Sequence, residues 1–189
     1  MPWEIIMNFE PGQIIDRFHS KKNKEIILKI PKMGWEKQYQ SFINSIIAED
    51  DYIIYDESLD FEDENKFIQS ELDKIKDKKG FCLTAFYQDE IIGGTTIDFG
   101  KGRKKHVATF GIAIKEGFRE EGIGTKMMEI LFEYVKRTGI RLIELEVFAT
   151  NKRAIGAYRK MGFIKHGELP RAIYRKGKFV NAILMNKNL

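Results

Sequence analysis

The run Arg119-Glu120-Glu121-Gly122-Ile123-Gly124-Thr125 constrains this chain more than any other, because it joins an apolar strand-like stretch to an amphipathic helix predicted over Gly122–Arg137. A strand, a glycine-bearing turn and a helix start in succession make a seat for an anion. Glycine lets the main chain approach a ligand, and the first amides of a helix lack intrahelical partners and lie at the positive end of its dipole. Two common phosphate turns are excluded by the residues. A Walker loop needs Gly-Lys-Ser/Thr after four intervening residues, whereas the four residues after Gly117 lead to Gly122-Ile123. A dinucleotide fingerprint needs a third small residue, and the position three after Gly124 is Met127. What remains is Arg-x-x-Gly-x-Gly, a candidate pyrophosphate seat.

The rest of the chain supplies a frame for that turn. Glu25–Ile30 reads as a strand, and residues 1–20 form an extension in which only a short extra strand, around Gln13–Phe18, is suggested. Trp35, Tyr39, Phe42, Ile43, Ile46 and Ile47 recur with the period of one helix face, and Phe67, Ile68, Leu72 and Ile75 mark a second helix over Phe61–Lys78. Phe81–Tyr87 and Glu90–Ile97 outline a hairpin turning at Gln88-Asp89, with a further strand over His106–Ile114. After the helix from Gly122, closed by Gly139, come a strand over Ile140–Phe148, a short helix over 152–161, and strands over Phe163–Leu169 and Phe179–Met185. The order β-α-α-β-β-β-α-β-α-β-β predicts one α/β (α+β) domain with a mixed sheet and helices on both faces.

Several function classes fall away on composition. Cys82 is the only cysteine and lies in an apolar strand, which fits a buried thiol, and His19, His106 and His166 lack ligand spacing, so no metal is expected. No stretch approaches the roughly 18 apolar residues of a membrane helix, and the start Met1-Pro2-Trp3-Glu4 does not resemble an export signal, so a cytoplasmic protein without membrane contact is expected. A net charge of +4 spread over 32% charged residues is no solid basic surface, so nucleic acid is not indicated as a partner. The basic groups Lys101–Lys105 and Arg171–Lys178 are expected in solvated turns.

The turn and its flanks resemble motif A of the GNAT superfamily of acyl-CoA-dependent N-acyltransferases, whose consensus is Gln/Arg-x-x-Gly-x-Gly/Ala. The stretch Asn151-Lys-Arg-Ala-Ile-Gly-Ala-Tyr158-Arg-Lys-Met-Gly162-Phe163 is similar to that family's second signature, in which Asn and Tyr stand seven apart and the helix closes on Gly-Phe. The match is specific from about Phe81 onward. It implies a single GNAT-type domain over 21–189, with a mostly antiparallel sheet that splays where the coenzyme enters, and acetyl-CoA as co-substrate. The implied coenzyme contacts are the strand residues Ile112, Ala113 and Ile114, the turn Arg119, Glu120, Glu121, Gly122, Ile123, Gly124 and Thr125, and Asn151 and Tyr158. Lys126, Lys152, Arg153 and Arg159 are further candidates for phosphate contact. Glu120 and Glu121 depart from the basic or neutral residues of many relatives, so their side chains must point away from the phosphates.

Acetyl transfer from a thioester to an amine needs a base for the amine proton, a seat for the oxyanion and a proton for the departing thiolate. In the strand Ile140–Phe148, alternation puts Leu142, Glu144, Glu146 and Phe148 on one face, with same-face neighbours about 7 Å apart. The residues alone are compatible with a solvated strand face. The resemblance implies a base twelve residues before Tyr158, which is Glu146, with Glu144 as the nearest substitute, and gives Tyr158 the role of acid to the thiolate. Asn151 also suits a helix N-cap.

Between the first two helices, Glu49, Asp50, Asp51, Asp56, Glu57, Asp60, Glu62, Asp63 and Glu64 stand without a Lys or Arg. In relatives this segment borders the acceptor cleft, so the resemblance implies a cationic amine acceptor: a protein N-terminus, a lysine, a polyamine or another small amine. Tyr52 and Tyr55 are placed to pack on it. Solvated acids supporting the next helix start are the alternative. The rival function is a non-catalytic acyl-CoA-sensing or protein-interaction module on the same fold, and either a monomer or a homodimer fits the pattern.

Overall fold

The computed structural model describes residues 8–49 and 52–189, so Met1–Met7, Asp50 and Asp51 lie outside the described residues. Twelve elements follow: β1 (Ile14–His19), β2 (Glu25–Lys29), α1 (Glu36–Ala48), α2 (Phe61–Lys76), β3 (Gly80–Tyr87), β4 (Glu90–Phe99), β5 (Val107–Ile114), α3 (Ile123–Val135), β6 (Leu142–Phe148), α4 (Lys152–Lys160), β7 (Ile164–Arg175) and β8 (Lys178–Asn188). The strands make one sheet in the order β1-β2-β3-β4-β5-β6-β8-β7. Every pairing is antiparallel except β5 with β6.

Helices cover both faces, as the alternation of apolar residues requires. On one face α1 and α2 bury Tyr39, Phe42, Ile46 and Ile68 against Phe86 and Ile91. On the other, Ile123, Met127, Leu131 and Phe132 of α3 and Ile155 and Tyr158 of α4 pack on Phe81, Leu83, Ile97 and Phe110. The start of α2 is fixed by a reciprocal cap: Asp60 accepts from the Asp63 amide at 2.9 Å and Asp63 from the Asp60 amide at 3.0 Å. Such a cap is worth about 1 kcal/mol.

Two elements differ most from their sequence expectation. The helix predicted to Arg137 tightens into a 3-10 turn over Lys136–Thr138 before Gly139 turns out at φ 89°. The strand predicted over Phe163–Leu169 continues to Arg175, so only Lys176-Gly177 of the basic run 171–178 forms the turn. Exposed residues such as Lys165, Glu168 and Arg171 and two register shifts break any apolar alternation on this edge strand and hide its length from a hydrophobic pattern. Around Gln13–Phe18, β1 pairs along β2 as the far edge of the sheet. No helix among the described residues is long and apolar enough to cross a membrane.

Candidate functional site

The strand β5 delivers the chain to the turn, and three left-handed residues shape it: Gly117 (φ 81°), Glu120 (φ 64°) and Gly122 (φ 85°). Gly122 caps α3 without a side-chain hydrogen bond, which leaves the first helical amides available to a ligand. A Cβ on Gly124 would stand 3.4 Å from Ile112 Cδ1, so the helix start sits close against β5. Glu121 points away from this concavity and is buried, accepting hydrogen bonds from Ser20 Oγ at 2.7 Å and Lys24 Nζ at 2.8 Å. The Lys24 ammonium is the main reason its carboxyl is held below the usual carboxylate range. Glu120 is exposed.

Arg119 is held differently from a simple phosphate ligand. Its Nε donates to the Ile114 carbonyl at 2.7 Å and its Nη2 pairs with Glu49 at 2.5 Å, so it ties the turn to the end of β5 and to the end of α1. Lys126 lies 4.0 Å from Asp16 of β1. Lys152 and Arg153 line the cavity, whereas Arg159 does not. Lys21, which no sequence motif singles out, lines the cavity with its side-chain carbons beside Gly122. It follows β1 in a turn, so only the fold brings it here.

The cavity opens where β5 and β6 part. They pair from Val107 with Leu142 to Thr109 with Glu144 and no further, so the main chain of Gly111–Ile114 has no partner on that side. The result is a cavity of about 1500 Å³ that contains the turn, the open edge of β5, Glu146, Asn151 and Tyr158. Tyr158 is 8% exposed and packed edge-on to Phe110 and against Phe163, and burial pushes its phenol up to about 12. The phenol is therefore protonated throughout the neutral range. Glu146 lines the cavity, while Glu144 lies outside it and accepts from Thr109 Oγ1 at 3.4 Å. Asn151 acts as the N-cap of α4, accepting from the Ala154 amide at 3.0 Å.

The acidic segment behaves as several separate pieces. Glu49 pairs with Arg119, Asp60 and Asp63 cap α2, and Glu62 pairs with Lys66 at 3.8 Å. Tyr52 fastens the segment to the far wall, donating to the Thr150 carbonyl at 3.2 Å and meeting Phe148 edge-on. Tyr55 lines the cavity half exposed. Glu64 instead turns inward: it is 3% exposed, lines the cavity, and burial raises its carboxyl to about 7. Glu71, one helix face further on, is 2% exposed and is also raised by burial. Sequence reasoning placed Glu64 only among the acids expected to border the acceptor cleft and missed Glu71, although a signal existed: Glu64, Ile68, Glu71 and Ile75 share one helical spacing, so two acids interrupt the buried stripe of α2.

Known proteins share this fold. The sequence profile of the Acetyltransferase (GNAT) family matches residues 42–163. The L-amino acid N-acetyltransferase AaaT of Escherichia coli is 31% identical over 116 residues, 60% of this chain and 72% of that protein. Among solved structures, an acetyltransferase of the GNAT family from Streptococcus pneumoniae superposes with a TM-score of 0.76 at 22% identity, covering 87% of this chain and 99% of that one. The microcin C7 self-immunity acetyltransferase MccE, in complex with acetyl-CoA and AMP, superposes with a TM-score of 0.73 at 19% identity over 87% and 92% of the two chains. These two likenesses show the fold.

Proposed function

The chain belongs to the GNAT acetyltransferase family and is an acyltransferase, and on that premise we propose that it moves an acetyl group from acetyl-CoA directly to a primary amine. The observation that carries this reading is the parting of β5 and β6 beside the uncapped start of α3, with Glu146 and Tyr158 on the same cavity. MccE, a structural neighbour, binds acetyl-CoA. The unpaired amides of the turn and of α3 suit a pyrophosphate, with Lys21 beside them and Arg119 bracing the turn. The open main chain of Ile112, Ala113 and Ile114 suits the amides of a pantetheine arm, as an added strand would.

Acetyl-CoA supplies the activated acetyl group as substrate. Alkyl amines have pKa near ~10.4, so the acceptor arrives protonated, and Glu146 takes that proton directly or through water. The freed lone pair forms the new N–C bond as the C–S bond breaks, and backbone amides at the end of β5 face the oxygen on which charge develops. Tyr158, kept protonated by burial, donates to the departing sulfur. Asn151 holds the start of α4, and thereby the helix that carries Tyr158.

The test is release of free coenzyme A from acetyl-CoA over a panel of polyamines, amino acids and short peptides with free N-termini, beside calorimetric binding of acetyl-CoA. Turnover on at least one amine is expected. Absence of coenzyme binding would sink the reading.

A further inference from the structure

We propose that the acceptor is an aliphatic diamine or polyamine: one primary amine reacts beside Glu146 while a second, protonated amine docks on the buried carboxylates Glu64 and Glu71 of α2. The inference rests on the acetyltransferase reading above and names the substrate class of that same site.

Glu64 faces the cavity at 3% exposure, and no hydrogen bond or ion pair to its carboxylate exists among the described residues. Glu71 accepts from Lys74 at Oε1, 2.6 Å away, and its buried Oε2 is reached by no nitrogen or oxygen donor among the described residues. Lys74 is shared with Asp98 at 2.8 Å, so two carboxylates divide one ammonium and Glu64 has none. A buried carboxylate without a partner is unfavourable when ionised, and a cation entering the cavity removes that cost. An organic ammonium is the cation that fits, because Phe42, Ile46 and Phe67 also line the cavity and offer apolar walls to methylene groups.

The same wall is unsuited to an acceptor with a free carboxylate. Its two ammonium groups, Lys66 and Lys74, are already paired with Glu62 and with Glu71 and Asp98. An α-amino acid would bring its negative charge towards Glu64 and Glu71.

Register sets the distance between the two ends. The Cys82 thiol lies against Glu71, and Cys82, Thr96 and Gly111 form one row across β3, β4 and β5. Glu146 lies on β6 two residues beyond the Thr109–Glu144 pair, in line with that row. Two paired strand spacings put about 10 Å between the backbones of Cys82 and Gly111, the parting of β5 from β6 widens the remaining step to Glu146, and the carboxylate side chains reaching inward from both ends leave a gap suited to an acceptor with two separated amines. Along α2, Glu64 and Glu71 are separated by about 10 Å of helix, so a longer polyamine can engage both. The docked ammonium undergoes no bond change.

The experiment compares kcat/KM for 1,4-diaminobutane, spermidine, n-butylamine and L-amino acids in the wild type, Glu64→Gln and Glu71→Gln, with thermal melts confirming that each variant folds. The wild type should favour the diamine over butylamine by roughly 10- to 100-fold, as expected for one charge-assisted contact, and the ratio should collapse in Glu64→Gln. A merely structural role for Glu64 would lower both amines alike and leave the ratio where it was, which overturns the proposal. A ratio near one in the wild type, or L-amino acids as the best acceptors, overturns it while leaving the acetyltransferase reading intact. Silence on every amine overturns it too, and acetyl-CoA binding by calorimetry then decides whether the underlying reading falls with it.

Discussion

Glu121 and Lys24, 97 residues apart in the chain, meet at 2.8 Å and turn an acidic residue of the proposed pyrophosphate turn away from its concavity. Lys24 also donates to the Gly117 carbonyl at 3.1 Å and lies 4.2 Å from the centroid of the Phe118 ring. One side chain at the start of β2 thus braces both ends of the turn. Ser20 completes the clamp from the other side of the β1–β2 connection.

Lys24→Met is therefore expected to raise the KM for acetyl-CoA about tenfold, the loss of one charge-assisted hydrogen bond, with a smaller effect on kcat. The clamp also carries a pH dependence. Glu121 is held below the ordinary carboxylate value, so its contribution to stability is complete above that value and is lost as pH falls through the lowered one. Thermal melts across the acidic range should show a steeper acid loss in the wild type than in Lys24→Met.

Tyr158→Phe keeps the ring that packs on Phe110 and Phe163 and removes only the hydroxyl. The expected outcome is a fall in kcat of about 10²-fold or more with unchanged melting temperature and little change in acetyl-CoA binding. Steady-state kinetics with calorimetry checks this. Retained turnover would remove Tyr158 from the chemistry.

Glu146→Gln should lower kcat/KM by about 10²-fold, whereas Glu144→Gln should stay within a few-fold of wild type. The asymmetry follows from position, since Glu146 lines the cavity and Glu144 stands outside it against Thr109. Equal losses in the two variants would show that neither carboxylate acts alone as base.

Glu64 should make the free protein less stable as pH rises. Burial, with a smaller push from Asp63, raises its carboxyl from 4.5 to about 7, so between those values the folded state binds a proton that the unfolded chain has released. Stability then declines through that window and levels off above it. Glu64→Gln should flatten the profile in chemical denaturation, and a profile unchanged by the substitution would count against an inward, unpaired carboxylate.

Much of the fold is legible in the sequence because it is written in short-range patterns. The stripe from Tyr39 to Ile47 places α1, Gln88-Asp89 places the β3–β4 turn, and Gly139 stops the helix that begins at the glycine turn, each through interactions within a few residues. The edge strand β7 is only partly legible because its exposed face carries Lys165, Glu168 and Arg171 rather than an apolar repeat. The inward placement of Glu64 and Glu71 is illegible for the opposite reason. Acids on an apolar stripe look like solvated residues, and only the packing of α2 over the open sheet turns them towards a cavity.

By itself the sequence determined the element order, the glycine turn with its uncapped helix start, and the Asn151–Tyr158 spacing, since all of these depend on backbone preferences and side-chain periodicity along a continuous stretch. Tertiary structure alone decided that β5 and β6 part after Thr109, that Lys24 holds Glu121, that Arg119 is engaged by Glu49, and that Glu64 faces a cavity. Those facts depend on strand register and on contacts between distant segments. Such contacts form only when hydrophobic burial brings the two faces of the sheet and their helices together.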